Sequence, residues 1–450
     1  MKPKFLFTLL VFLPLFFVSG KDLPLSRIAD DSALRLEIRD AWFLEVPGRV
    51  LAKRPERRNL AGGGRVEIRT ESKGEEFNIV IAREAGAGRT TGAFPGYAQG
   101  SWVLSRRRDT GEGLRIRVFL RSDAFTYVQF RPWTEDKCLM DVALYDAYVL
   151  RSQPVPAPFE RLYEISVEEV LRLAGARFPG RYFEVEPSNY REIREFIKIV
   201  RSELPALNFL DDGAIDENGN YVFIKDGRPQ EGEKGLNCSG FAKWIVDLLL
   251  KPHTGALLPI APLKAPAGNR GSSFTEAFEE LRDPFFGLDW TRNLAVSAAA
   301  VLRSPGAALI EEVEVRESFF SELILRNPKT FSPAGRRSYP GYMENAGFGI
   351  EGLQSLLYIL ALDEPGTVYL ASINAEMDGP PRKNQYLSLR LRQHFHIAVL
   401  LPYFNDEGEF RIAVFESAAE TAFSRFQSRY PAHYVNLVRI PLSASFMPLR

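Results

Sequence analysis

Between positions 31 and 151, apolar and polar residues alternate with a period of two in a series of short runs. These are Leu34–Arg39 (LRLEIR), Val66–Ile68, Phe77–Ile81, Trp102–Leu104, Leu114–Leu120, Tyr127–Phe130 and Leu139–Leu150. Successive side chains of a strand point to opposite faces, so this alternation is the pattern of half-buried β-structure. Turn signals such as Gly62-Gly63-Gly64 and Gly111-Glu112-Gly113 separate the runs. About seven short strands punctuated in this way predict an all-β, sandwich-like or barrel domain over residues 21–151. Ser152–Pro158 (SQPVPAP) then reads as a stiff proline-rich linker. The pattern changes period after it. Ser166-Val167-Glu168-Glu169 has the form of a capping box opening a helix through Leu173. Tyr190–Leu204 carries Ile193, Ile197 and Val200 on one helical stripe. Helices and strands mix from there to the C-terminus, so residues 159–450 read as α+β.

The 450-residue length fits two or three domains, and 45% apolar residues with zero formal net charge exclude a disordered chain. The charge balance also argues against a dedicated nucleic-acid binder. Arg106, Arg107, Arg108, Arg115, Arg117, Arg121 and Arg131 crowd the polar positions of the first half. They read first as a solvated face, with a surface for an anionic polymer as the sharper alternative. Residues 1–20 (MKPKFLFTLLVFLPLFFVSG) join a positive Lys2/Lys4 region to an uncharged run of 14 residues, Phe5–Val18, which is short for a membrane span. Small residues at Val18-Ser19-Gly20 complete the form of a signal peptide cleaved near Gly20. The expected product is a periplasmic or secreted protein with no integral span.

The two cysteines, Cys138 and Cys238, rule out a disulfide framework. Cys138 falls on an expected strand and reads as core. A Cys138–Cys238 disulfide would block Cys238 and is not expected. Cys238 lies in Gly235–Leu250 (GLNCSGFAKWIVDLLL), where a Gly-, Asp- and Lys-rich loop gives way to a helical pattern. Phe241, Ala242, Ile245 and Leu249, at +3, +4, +7 and +11, align with it. Cys238 therefore opens a helix, with Asn237 or the preceding loop available as cap. Unpaired N–H donors and partial positive charge at a helix start favour a thiolate and can hold an oxyanion. A small buried hydrophobe is the competing account of the same cysteine.

A thiolate needs a base, and the chain offers four histidines. Leu387–Leu401 (LSLRLRQHFHIAVLL), the turn Asn405–Gly408 and Phe410–Ser417 predict a β-hairpin. Pairing centred on Asp406 sets Glu416 opposite His396, and a one-residue slip would bring Ser417 there. Cys238, His396 and Glu416 then have the logic of a nucleophile, a base and its orienter. His394, expected on the same strand face, is the other candidate base. It reads more simply as an exposed strand-end residue. A metal held by His394, His396 and Cys238 is a weaker alternative, since no acidic cluster accompanies them. His253 reads as a helix-end residue and His433 as a surface one. No cofactor is called for.

Asn237-Cys238-Ser239-Gly240-Phe241 resembles the Asp-Cys-Ser-Gly-Phe signature of the NlpC-type cell-wall cysteine peptidases. His396–Leu401 (HIAVLL) is similar to that family's His strand, and Glu364-Pro365-Gly366-Thr367 to the Pro-Gly-Asp segment before it. The resemblance spans roughly 205–250 and 350–420. It implies a compact papain-like domain, with Cys238, His396 and Glu416 catalytic. It also implies Asn237, Ser239 and Tyr221 at the substrate or oxyanion side. Three departures stand out: Asn237 replaces an acid that can receive a substrate amine, Glu416 is an unusual third residue, and residues 251–350 form a large insertion. The insertion is expected to hold a loop (Pro259–Ser273), a helix (Phe274–Leu281), Trp290 and an Ala-rich helix (Leu294–Leu302). The implied activity is cleavage of an amide bond in peptidoglycan peptides. Acyl transfer or ester cleavage by the same pair, and wall binding on a degenerate scaffold, are the alternatives.

Overall fold

The computed structural model describes residues 25, 28, 31–60, 63–85, 93–145, 147–268, 283–302, 309–316, 324–325, 342–378 and 390–442. The expected signal peptide and the expected helix Phe274–Leu281 lie outside the described residues.

The chain is mixed α and β, and its first half is an antiparallel meander. Strands β1 (Glu56–Asn59), β2 (Arg65–Lys73), β3 (Glu76–Arg83), β4 (Trp102–Arg107), β5 (Gly113–Val118), β6 (Tyr127–Thr134), β7 (Lys137–Leu144) and β8 (Ala147–Val155) pair in chain order. One continuous sheet thus runs through the region read as a sandwich-like or barrel domain. The run Leu139–Leu150 divides into β7 and β8 at Tyr145, whose φ is +44°. The proline-rich segment is mostly the end of β8: Pro154 pairs with Leu139 and Val155 with Cys138.

The first alternating run is not a strand. Ser32–Ile38 is helix α1, continued by a π-helical turn at Arg39–Phe43 and, after a short gap, by α2 (Pro47–Leu51). The reason lies in the spacing. In LRLEIR, Leu34 and Ile38 are four apart, one face of a helix as well as of a strand. Helix α1 turns them to the core and leaves Leu36 half exposed. Trp42 and Phe43 follow into the interior, where Phe43 meets Trp102 (ring centroids 5.0 Å) and Tyr163 (5.4 Å).

The arginines are largely tied within the chain. Buried Arg106 donates to the Gly111 and Glu45 carbonyls, Arg131 to Asp141 and Arg107 to Asp109, while Arg115 pairs with Glu76. The face is therefore neither a plainly solvated one nor a set of free cations.

Helix α3 (Val167–Ala174) begins where the capping box placed it, with the Glu169 N–H donating to Ser166 Oγ at 3.0 Å. Then come α4 (Arg191–Glu203), the hairpin β9 (Gly213–Ile215) and β10 (Tyr221–Phe223), α5 (Cys238–Thr254), α6 (Ile260–Leu263), α7 (Phe286–Leu302) and α8 (Ile310–Val313). Trp290 and the Ala-rich stretch belong to the single helix α7. Strand β11 (Ile324–Leu325) pairs with β8, so the second half adds to the sheet of the first. The remaining elements are β12 (Phe348–Gly349), α9 (Leu353–Asp363), β13 (Thr367–Asp378), β14 (Arg390–Phe404), β15 (Phe410–Glu416), β16 (Ala419–Thr421), α10 (Phe423–Arg429) and β17 (Tyr434–Pro441). Their antiparallel sheet runs β12-β17-β13-β14-β15-β16. Helices α5 and α7 pack on each other, and both contact β14. Ser239 through Leu250 are buried without a break, which makes α5 a central helix rather than an amphipathic surface one. Among the described residues, no helix is long and apolar enough to cross a membrane.

Candidate active site

Cys238 is the first residue of α5, as its spacing predicted. Asn237 is the N-cap: its Oδ1 accepts from the Gly240 N–H at 2.8 Å, and its own N–H donates to the Gly213 carbonyl at 2.9 Å. The cap leaves the N–H groups of Cys238 and Ser239 without intrahelical partners, as any helix start does. Glycines set how closely this turn fits its surroundings. A Cβ on Gly240 would stand 2.0 Å from the Gly213 carbonyl oxygen, and one on Gly235 would stand 2.7 Å from the Leu210 N. Buried Gln230 staples the incoming loop by accepting from the Gly235 N–H (2.9 Å) and donating to the Val222 carbonyl (2.9 Å). Nothing in its sequence context marked Gln230, because its role exists only once the loop has closed.

The hairpin places the other two groups, through a register different from the one expected. Val399 pairs with Phe415, which sets Glu416 level with Ala398, two positions from His396. A two-residue shift keeps both side chains on one face, and a diagonal neighbour is within reach. His396 Nε2 and Glu416 Oε2 are 2.7 Å apart. Ser417 is not the partner. With Ala418 it forms the two-residue turn into β16, at φ of +48° and +60°. The second carboxylate oxygen of Glu416 accepts from Thr421 Oγ1 (2.7 Å) and Arg429 Nη1 (2.6 Å). Thr421 and Arg429 were not singled out from the sequence, since both lie beyond the hairpin.

A bulge separates the two histidines. Ile373 pairs with His396 but Asn374 pairs with His394, so Phe395 is the extra residue. Phe395 and His396 both lie beside Tyr430, with ring centroids at 6.0 and 5.8 Å. His394 therefore does not share a face with His396, and it is buried rather than exposed. Its Nδ1 is 2.8 Å from Ser372 Oγ and its Nε2 2.8 Å from the Asn345 carbonyl. With both ring nitrogens so engaged, His394 is neither a base for Cys238 nor a ligand converging with it.

The electrostatics follow from these contacts. Burial alone pushes the Cys238 thiol up, but the hydrogen bond and positive charge of His396, with help from the Ile397 N–H, bring it below its ordinary value. Burial likewise lowers His396, and its hydrogen bonds to Cys238 and Glu416 outweigh this and raise it to about 9. Burial raises Glu416, and His396, Thr421 and Arg429 overcome it to hold the carboxyl near 2. His396 therefore carries a proton at neutral pH, and its charge and hydrogen bond favour the thiolate form of Cys238. Because Glu416 holds Nε2, the imidazole nitrogen left for sulfur is Nδ1. His394 is pushed down to about 3, chiefly by burial, and stays neutral.

One family model matches, over residues 24–182: Domain of unknown function (DUF8515). No curated protein and no solved structure matches the chain. The matched segment covers the meander and runs on through α3, ending well before Cys238.

The remaining candidates divide. Ser239 is buried, with its Oγ 3.9 Å from the Cys238 sulfur and its carbonyl accepting from Trp290 Nε1 at 2.9 Å, so the inserted helix α7 is fastened to the cysteine turn. Tyr221 stands on β10, the hairpin strand next to β9, where Lys234 approaches its ring at 5.8 Å. His253 lies in the last turn of α5; His433 is half-buried rather than a plain surface residue, bonding to the Pro431 carbonyl and packing against Phe395 with ring centroids 5.6 Å apart. Both cysteines are free, and burial pushes the Cys138 thiol up to about 11.

Proposed function

We propose that this chain is an exported cysteine hydrolase that cleaves an amide bond, with peptidoglycan peptides as its substrate class. The carrying observation is the line Cys238–His396–Glu416, a capped helix-start cysteine paired with an imidazole whose far nitrogen is held by a buried carboxylate. The resemblance to NlpC-type peptidases adds the substrate class and the papain-like architecture of the second half. In this reading the thiolate attacks the carbonyl carbon and the oxyanion faces the N–H groups of Cys238 and Ser239. The His396 imidazolium then protonates the departing amine, leaving a thioester. As neutral imidazole it next takes a proton from the water that attacks the thioester, which releases the acid and restores the thiolate–imidazolium pair. Glu416 fixes the ring and supports its charge.

Asn237 bears on a second reading. Its side-chain oxygen is committed to the cap, so no acid stands before the cysteine to receive a substrate amine. Acyl transfer or ester cleavage through the same thioester needs no such acid.

The test is mass spectrometry of muropeptides released from purified peptidoglycan by wild type and by Cys238→Ala. New fragments from wild type alone, with masses naming one amide bond, are expected. If neither protein releases fragments while Cys238 alkylates as an activated thiolate, the acyl-transfer reading takes over. An unactivated thiol, titrating near 8.5, would leave only binding.

A further inference from the structure

The inserted helix α7 stands between the two elements that carry the reacting groups, and its first turns bond to both. On the α5 side, Trp290 Nε1 donates to the Ser239 carbonyl at 2.9 Å. The N–H of that same peptide, from Gly240, donates to Asn237 Oδ1 at 2.8 Å. The peptide plane next to the cysteine turn is thus held at both ends. On the β14 side, the His394 N–H donates to the Pro284 carbonyl at 2.7 Å. That bond joins the turn entering α7 to the strand immediately before the Phe395 bulge. Gly287 fits against the same residue: a Cβ there would stand 2.8 Å from the His394 carbonyl oxygen and 3.3 Å from Ser372 Oγ.

Gly287 and Trp290 are three residues apart, so they share one helical face across about 4.5 Å of rise. Within a single turn that face reaches from the strand of His396 to the helix of Cys238. Trp290 is fully buried, so it serves the site from behind and does not meet substrate. The groups that charge the pair come from other elements: Glu416 from β15, with Arg429 of α10 bonded to it and Tyr430 packed beside His396. Of the ionised residues of α7 itself, Asp289 accepts from the Ala267 N–H at 2.9 Å and Arg292 donates to Glu314 at 2.7 Å.

We propose that α7 is a brace that sets the spacing of Cys238 and His396, with Gly287 and Trp290 as its positioning residues. This deepens the reading of the two as a reacting pair and rests on it. The contact between sulfur and imidazole changes with any slide of α5 against β14, and α7 opposes that slide. A misplacement of about 1 Å, even one caused far from the chemistry, can cost a hundredfold in rate.

The test is the pH profile of iodoacetamide alkylation of the full chain. It is read by the mass of the Cys238 peptide, because Cys138 is a second free thiol. Gly287→Ala forces α7 and β14 apart and should move the alkylation midpoint up by about one pH unit, a tenfold loss of preference for the thiolate. Trp290→Phe keeps an aromatic ring but loses the N–H, and should move the midpoint up by about half a unit. Asn293→Ala is the control on the same helix. Its side chain donates to the Leu263 and Ala265 carbonyls at 3.1 and 2.8 Å, so it fastens α7 to α6 instead. It should lower the melting temperature and leave the midpoint at the wild-type value. Wild-type midpoints in folded Gly287→Ala and Trp290→Phe overturn the brace, as does an equal shift in Asn293→Ala. If Gly287→Ala does not fold, Trp290→Phe decides alone. A wild-type thiol that already titrates near 8.5 removes the reacting pair, and the brace with it. An activated thiol without peptidoglycan cleavage removes only the substrate class.

Discussion

His394 and His396 stand two residues apart on β14, yet the protein uses them in opposite ways. His396 faces Cys238 and a buried carboxylate and carries a proton at neutral pH. His394 faces a serine hydroxyl and a backbone carbonyl, and its neutral ring belongs to the packing around α7. Gly287 of α7 sits so close that a Cβ would come within 2.8 Å of the His394 carbonyl oxygen. The extra residue Phe395 makes this division. A bulge re-aims side chains, and here it gives one strand a chemical face and a structural face. The spacing His-x-His does not reveal which histidine does which job.

Exchanging the two residues separately is the strongest way to break this comparison. His396→Ala should lower turnover by about 10²–10⁴-fold, the range for removing a general acid–base group, and should also lower the melting midpoint at neutral pH, because buried Glu416 loses its partner. His394→Ala should leave turnover per folded molecule within a few-fold. It should cost about 1–3 kcal/mol of stability, because Ser372 Oγ and the Asn345 carbonyl lose a buried partner. Steady-state rates and urea unfolding of both variants read this out, and the reverse pattern would exchange the roles.

A smaller effect tests the support behind His396. Glu416→Gln keeps the shape but removes the charge that holds the imidazolium, so iodoacetamide alkylation of Cys238 should shift to higher pH and turnover should fall about a hundredfold. Arg429→Gln leaves the carboxylate in place and should cost roughly tenfold. Equal losses in the two variants would mean that Arg429 acts on substrate rather than through Glu416.

The subtlest difference lies in the pH dependence of folding. His396 is raised from its ordinary 6.5 to about 9, so its contribution is complete below 6.5 and is lost as pH rises through 9. His394 is lowered from 6.5 to about 3, so its contribution is complete above 6.5 and is lost as pH falls towards 3. Glu416, lowered from 4.5 to about 2, adds to the acid limb below 4.5. Unfolding midpoints from pH 3 to 10 should therefore lose their alkaline slope in His396→Ala. In His394→Ala they should lose the part of the acid slope that lies above 4.5.

What the sequence revealed follows from which forces are local. The start of α5, the Ser166 cap and the β14–β15 hairpin depend on neighbours a few residues away, and each lies where its pattern put it. The catalytic candidates emerged because the hairpin fixed parity even though its register was off by two. The bulge at Phe395 left no trace in the alternation, so His394 was misplaced on both face and burial. The run LRLEIR satisfied two periods at once, and tertiary contact around Trp42 and Phe43 chose the helix. Gln230, Thr421 and Arg429 act only across the closed fold.

The short pairing of β11 with β8 has a consequence for the order in which the chain is made. The edge that Ala147 and Tyr148 present to Ile324 and Leu325 is completed only by residues about 180 positions later. At ordinary rates of synthesis that delay is roughly 10–40 s. For that time the youngest strand of a finished-looking meander has an open rim, and whatever meets it first competes with the chain's own second half.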